Sequence, residues 1–258
     1  MVPLSDVPVL DPSRYGEGVH RRAIRLATTE PGVVRAELED DYHHFRCTLT
    51  HANGVITGCE GEAVRHPWTT CPGAMGLLRS LVGTALDARS TAILGRVRGN
   101  EHCTHLVDLA GLAIAHAHAG RATREYELTI PDRVGNRCEP VLVRDGEELL
   151  HWVLDGGTIV DPPPFAGVSV TGGFRDFVER ELDVDTAEAA VVLRRGTMIS
   201  WGRSMQLDDV QVAAELGETM LGSCHTFTVG TAEHAQRKFG STWDFTDAPD
   251  RLLDDGWI

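Results

Sequence analysis

Glu101-His102-Cys103-Thr104-His105-Leu106-Val107-Asp108 places two carboxylates, two imidazoles and a thiol within eight residues. As a helix capped by Asn100 and running from Glu101 to about Ala119, the segment predicts two faces. Cys103 joins Leu106, Val107, Ala110, Ile114 and Ala117 on an apolar face, while Glu101, His105 and Asp108 share the other. His105 is then a candidate general acid/base, with Asp108 or Glu101 orienting its imidazole and fixing the tautomer. Cys103 reads as a core thiol. The pair Cys103-x-His105 also suggests a metal, but residues two apart point about 200° apart around a helix. A zinc or iron reading with Cys71, Cys103 and His105 as ligands therefore requires the helix to begin later, with Cys103 as its cap.

Further candidates lie apart in sequence. Pro72 suggests a helix start with Cys71 as its cap, where free N–H groups favour a thiolate and hence a nucleophile or a metal ligand. In Asp40-Asp41-Tyr42-His43-His44-Phe45-Arg46-Cys47, His43 has the parity of Phe45, Cys47 and Leu49 and should point inward. His44 should point outward with Arg46. His43 and Tyr42 are thus the second polar group of the expected site. Arg195 and Arg203 are candidates to hold an anionic substrate group, and Trp68, Tyr42 and Trp201 could line an aromatic pocket. Cys224 and His225 are adjacent, so in a strand they would face opposite ways.

Composition removes several classes. The 258 residues carry 24 basic and 38 acidic side chains, a net charge of −14, which disfavours nucleic acid and anionic membranes. Lys238 is the single lysine, and Gln236-Arg237-Lys238-Phe239 reads as an exposed helix end, a poor Schiff-base site. The cysteines Cys47, Cys59, Cys71, Cys103, Cys138 and Cys224 form no C-x-x-C pair. No zincin motif, nucleophile elbow, Walker loop or dinucleotide fingerprint occurs, so no cofactor is expected. No apolar run approaches the ~20 residues of a membrane helix, and no signal core opens the chain; a cytoplasmic protein is expected. Assembly into a homo- or hetero-oligomer is left open.

The elements that must position these groups follow from periodicity. Residues 1–18, with Pro3, Pro8 and Pro12, read as an irregular arm; residues 19–258 read as a single α+β domain. His20 to Ala63 alternates with period two: Val34, Ala36 and Leu38, then Phe45, Cys47 and Leu49, and His51-Ala52-Asn53-Gly54 as a turn into Val55-Ile56-Thr57. This predicts an antiparallel meander of about four strands. A helix follows from Pro72 to about Val82, then the nearly all-apolar helix over 101–119, which should be central and buried. Strands are expected over 125–130, 140–144 and 149–154, with helices over 174–181, 187–195 and 232–238. A last short strand is expected over 223–229. The fold class is α+β, an antiparallel sheet packed on a buried central helix.

Several of these segments together resemble the bacterial "domain of unknown function 2889" family: His44-Phe45-Arg46, Pro67 to Ala74 with the central Thr69-Thr70-Cys71-Pro72-Gly73, Leu81-Val82-Gly83, and Cys103-Thr104-His105-Leu106-Val107-Asp108-Leu109. Later ones are Ile199-Ser200-Trp201-Gly202-Arg203 and Gly222-Ser223-Cys224-His225-Thr226-Phe227. The resemblance spans residues 20–250, and the family often has an aromatic residue where His225 stands. It implies a bacterial protein, often from organisms that catabolise aromatic and other hydrophobic compounds, and supplies no mechanism. With the residues above, the expectation is a small-molecule catabolic enzyme. It would be a cofactor-independent lyase using acid–base chemistry on an aromatic, lignin-derived-like or other hydrophobic compound. The alternatives are the zinc or iron enzyme and a non-catalytic ligand-binding or partner subunit.

Overall fold

Alternating polarity from Val19 to Arg65 produces four long strands, β1 (Val19–Glu30), β2 (Val33–Asp40), β3 (His44–Ala52) and β4 (Val55–Arg65). Each pairs antiparallel with the next. The β3–β4 turn is the expected one: Asn53 and Gly54 both have positive φ (51° and 76°), the primed-turn conformation that matches strand twist. After the central helix α1 (Thr104–Ala119), β5 (Thr123–Pro131) returns beside β1. With β7 (Val141–Arg144) and β8 (Glu147–His151) the sheet has seven strands in the order β4-β3-β2-β1-β5-β7-β8. A small sheet of β6 (Arg137–Cys138), β9 (Val153–Asp155) and β10 (Thr158–Asp161) adjoins it. The computed structural model describes residues 7–98 and 101–258.

One face of the sheet is apolar. Ile24, Leu26, Val34, Ala36, Leu38, Phe45, Cys47 and Leu49 pack there against Leu106, Val107, Leu109, Ala110 and Ala113 of α1. Two further helices, α2 (Phe174–Glu181) and α3 (Val184–Ser200), complete the layer. Gly196 of α3 stands against Leu128 and Ile130 of β5, so the helix lies close to the sheet. The opposite face is polar and is crossed by the C-terminal segment. There Leu253 N donates to Glu39 Oε2 (2.9 Å), Arg21 Nε donates to the Thr246 carbonyl (3.1 Å) and Arg46 pairs with Asp255. The α+β class and the sheet-on-helix arrangement are as expected.

Several boundaries differ from the sequence reading. Asn100 lies outside the described residues, as do residues 1–6. α1 starts at Thr104, and Cys103, in extended conformation, holds the capping position without a side-chain cap bond. Glu101 is therefore not on the helix. The Pro72 helix is a 3₁₀ stretch, Cys71–Leu81, with Thr70 at its cap. Residues 223–229 form a 3₁₀ turn (His225–Phe227) rather than a strand. Residues 232–238 are turns and single bridges rather than a helix, because their backbone pairs outward: Lys238 N bonds the Pro67 carbonyl and Arg237 N the Gln211 carbonyl (each 2.9 Å). In the arm, Val9 bridges to Trp243, and Pro12–Arg14 forms one 3₁₀ turn.

Gly111 on α1 sets the closest approach of that helix. A Cβ there would press on the Ser90 carbonyl oxygen, which is backbone and cannot rotate away. Gly111→Ala should therefore destabilise the protein by about 2 kcal/mol, although alanine is the better helix former by about 1 kcal/mol. Urea unfolding measures this, and a stabilised variant would refute the packing argument.

Candidate active site

The site is built at the ends of strands, where a turn brings buried polar groups together. Asp40 closes β2, and its Oδ1 accepts from the backbone N–H groups of Tyr42 (2.9 Å) and His43 (2.8 Å), which fixes the turn into β3. The same oxygen faces His43 Nδ1 at 3.0 Å. The other oxygen, Oδ2, accepts from Arg22 of β1 at 2.8 Å. Arg22 and Asp40 are directly opposite in the β1–β2 ladder, so the pair follows from register. Both are sealed, at 1% and 0% exposure, on the otherwise apolar face.

Arg22 reaches further. Its second terminal nitrogen lies 3.4 Å from His105 Nδ1, on the first turn of α1. The His43 and His105 rings lie with centroids 3.9 Å apart, and Phe45 stacks on His105 from the sheet. Thus His105 and His43, taken from distant segments, do converge.

Hydrogen-bond partners determine the tautomers. A carboxylate only accepts, so the Nδ1 of neutral His43 carries the proton toward Asp40 and Nε2 keeps its lone pair. A guanidinium only donates, so His105 Nδ1 is an acceptor and Nε2 carries the proton. Among the described residues neither Nε2 has a hydrogen-bond partner, and neither is among the sealed, unpartnered polar atoms. The site therefore offers one base and one hydrogen-bond donor side by side.

The charges agree. Burial pushes the Asp40 carboxyl up, but the charge and hydrogen bond of His43, with Arg22, hold it well below the usual carboxylate range. Burial lowers His43, with Asp40 opposing. Burial, then His43 and Arg22, hold His105 well below the ordinary histidine value. Both imidazoles are neutral at pH 7.

The other expected residues take different places. Asp108 does not orient His105. It accepts from Arg195 Nε at 2.6 Å, and its charge raises the Arg195 pKa. Asp108 and Arg195 line a cleft with Arg22, Ile24, Ile93, Leu94, Leu112 and Val191. Arg22 thus borders both the cleft and the imidazole pair. Glu101 is solvent-exposed and pairs with Arg98 (3.1 Å). Arg203 is fully committed: Asp41 (2.6 Å), Asp132 (2.7 Å) and Asp244 (3.3 Å) take its donors, so it is a structural knot rather than a substrate anchor. Tyr42 packs beside His43, but its hydroxyl abuts Gly202, and burial followed by Asp41 keeps it protonated. Trp68 belongs to a small second core with Phe227, Ala232 and Ala235.

Cys71 is not the activated thiol expected from a helix start. Burial pushes it up to about 11, and Thr226 Oγ1 is 3.6 Å from its sulfur. Cys103 is buried, and burial pushes its thiol up as well. Cys71, Cys103 and Cys224 lie in electrostatic reach of one another beside the N-terminal end of α1, with Arg195 near Cys103 and Cys224. Among the described residues, the groups whose ligand atoms lie within 4.8 Å of one another are Asp40–His43–His105 and Glu37–His44–Asp255; no cysteine is in either. An ion at the first group would have to displace donors from a carboxylate that already accepts from Tyr42, His43 and Arg22.

The sequence reading missed Asp40 as the orienting carboxylate and Arg22 altogether. The signal for Arg22 was its parity with Ile24 and Leu26: a charge on an apolar face requires a buried partner.

Residues 20–118 match the model of the family described as "Protein of unknown function (DUF2889)". The resemblance is thus shown over the segment that holds β1–β4 and most of α1, with Arg22, Asp40, His43 and His105 all inside it. The later motifs around Trp201 and Cys224 fall outside this match. The chain is also similar to an ATP synthase subunit delta from Dechloromonas aromatica (strain RCB), 24% identical over 112 residues. That match takes in 43% of this chain and 63% of the relative, so the chain spans less than two thirds of that subunit's length. Among the described residues no helix is long and apolar enough to cross a membrane.

The lowered histidine pKa values fix the sign of a pH effect. A histidine held neutral in the fold binds fewer protons than in the unfolded chain, so its contribution is intact above about pH 6.5 and is lost as pH falls below it. Stability should fall from pH 6.5 to 5 by at most about 1.4 kcal/mol per pH unit for each such group. In His105→Gln that slope should be shallower, by chemical denaturation at a series of pH values. An unchanged slope would show that His105 is not held neutral.

Proposed function

We propose that the chain is a small-molecule enzyme, a lyase that handles protons through His43 and His105 and needs no cofactor for that step. The observation that carries this reading is the contact of two imidazoles, His105 buried and His43 half-buried, whose Nδ1 partners, a carboxylate and a guanidinium, call for opposite tautomers and whose Nε2 atoms have no partner among the described residues. His43 Nε2 takes a proton from a hydroxyl or an acidic C–H group of the substrate. The electron pair left behind breaks the neighbouring C–C or C–O bond. The developing anion accepts a hydrogen bond from His105 Nε2–H, which Arg22 polarises through Nδ1, as a neutral imidazole serves as an electrophile elsewhere. His43 then returns its proton to the departing fragment, so the step is redox-neutral. Asp40 acts as a positioning residue for His43.

The adjoining cleft supports the choice of substrate class. Its walls of Ile24, Ile93, Leu94, Leu112 and Val191 have the apolar character an aromatic or other hydrophobic compound would meet, but its free space of about 30 Å³ holds little more than a water, so such a compound enters only if the cleft opens. Arg195 offers a cation to a carboxylate or phenolate that displaces Asp108. A cytoplasmic catabolic role fits this chemistry. The likeness to an ATP synthase subunit would instead cast the chain as a partner subunit, a setting in which two imidazoles held in complementary tautomers have no evident use.

The test is a panel of aromatic and aliphatic acids and phenols assayed for fragment release. With a substrate in hand, His43→Gln and His105→Gln should each lower kcat/KM by about 100-fold or more. Arg195→Gln should raise KM for anionic substrates while leaving kcat nearer the parent value. Full activity in His105→Gln would overturn the mechanism. Tight binding without turnover would make the chain a ligand-binding subunit, and neither binding nor turnover would reject the substrate class.

A further inference from the structure

The opposite face of the sheet holds a second polar cluster that the proton-handling site does not use. Glu37 of β2 is fully buried (0% exposed), yet neither of its carboxylate oxygens accepts a hydrogen bond. His44 of β3 is 6% exposed, and its Nε2, also sealed, has no partner and lies 3.7 Å from Glu37 Oε2. The third member, Asp255, comes from the C-terminal segment that crosses this face, and the three ligand atoms lie within 4.8 Å of one another.

Leaving a buried carboxylate without a single hydrogen bond costs several kcal/mol. The nearest cations do not remove that cost. Arg25 and Arg46 each stand 3.6 Å from a Glu37 oxygen, close enough to offset charge but too far to donate a hydrogen bond. Arg46 is also engaged by Asp255, and Glu62 lies 3.7 Å from it. The His44 Nε2 to Glu37 spacing is too long for a hydrogen bond, yet it is close to the ligand–ligand edge of a tetrahedral zinc site, about 3.4 Å for bonds near 2.1 Å. The contrast with Asp40 is direct, since that carboxylate has donors on both oxygens and Glu37 has none.

We propose that Glu37, His44 and Asp255 bind a divalent cation of the zinc class, which clips the C-terminal segment onto the outer face of the sheet. One imidazole nitrogen and two carboxylate oxygens are a suitable donor set, with water completing the coordination. For the ion to bind, Arg46 releases Asp255 and turns to Glu62, 3.7 Å from it, and Arg25 keeps its exposed partner Glu125. The Trp257 ring, two residues beyond Asp255, packs against the Arg46 guanidinium at 4.9 Å.

The test uses the full chain without a polyhistidine tag, stripped with a chelator and titrated calorimetrically with zinc chloride alone. One zinc per chain is expected, together with protection of the chain after Arg251 from trypsin. His44→Gln and Asp255→Asn should each weaken binding more than tenfold and abolish the protection, whereas His105→Gln should bind zinc as the parent does. Asp255 is on the outside of the fold, so its variant keeps the test interpretable should His44→Gln misfold. Absence of stoichiometric zinc would overturn the proposal, as would undiminished binding in Asp255→Asn. Loss of zinc in His105→Gln with retention in His44→Gln would do so too, and would move the ion to the imidazole pair.

Discussion

The buried pair of Arg22 and Asp40 is the contact from which the candidate site is assembled. Two charges removed from water are tolerated only when each is fully hydrogen-bonded and each offsets the other. Asp40 meets that condition by gathering four donors: two backbone N–H groups of the following turn, the His43 ring and the Arg22 guanidinium. Satisfying the carboxylate thereby sets the turn, the rotamer of His43 and its tautomer together. Arg22 is less completely satisfied: one terminal nitrogen faces His105 on α1, while its sealed Nε–H has no partner among the described residues. Removing either charge would leave the other uncompensated in an apolar layer and would disorder both imidazoles at once, so the stability of this corner and its chemistry are the same set of bonds.

The same register that makes this pair also makes the cluster on the other side. In the β1–β2 ladder Arg22 is opposite Asp40 and Arg25 is opposite Glu37. Across β2–β3, Glu37 is opposite Arg46 and Glu39 is opposite His44. Side chains alternate between faces, so the run Glu37-Leu38-Glu39-Asp40 sends Glu37 and Glu39 outward and Leu38 and Asp40 toward α1. A slip of one residue would exchange the two sets, driving Glu37 into the apolar layer with Phe45 and Leu106 and turning Val34 and Leu38 outward. The polar residues of β2 therefore specify alignment as firmly as its apolar ones.

Much of this was legible locally. Period-two alternation located the four-strand meander, the Asn53-Gly54 turn is a local signature, and the inward parity of His43 and outward parity of His44 both hold in the structure. The helix over 174–181 was likewise readable from its own pattern. What was not legible depended on partners distant in sequence. Asp108 sits one helical turn from His105, and on helix spacing alone it is the natural carboxylate for it. Arg195 claims Asp108 instead, from a helix some ninety positions away in the chain. Arg203, read as an anion anchor, is saturated by Asp41, Asp132 and Asp244, none of which its own neighbourhood announces. Cys71 failed for a different reason: the terminus of a short 3₁₀ stretch offers little field, and burial outweighs it.

The reassignment of roles follows from counting donors and acceptors rather than from proximity. Two histidines in contact could both be bases, both donors, or a pair sharing one proton. Here the neighbour on each Nδ1 removes that freedom, because a carboxylate can only accept and a guanidinium can only donate. Low pKa values then keep both rings neutral, so the difference between them is not one of charge but of which nitrogen carries hydrogen. A neutral acceptor beside a neutral donor suits a reaction in which a proton leaves one atom as negative charge grows on another nearby. It suits hydride or electron transfer poorly, since neither ring has a redox role in that state. Arg22 connects the two regions, since it lines the cleft that also holds Asp108 and Arg195 and donates toward His105 Nδ1.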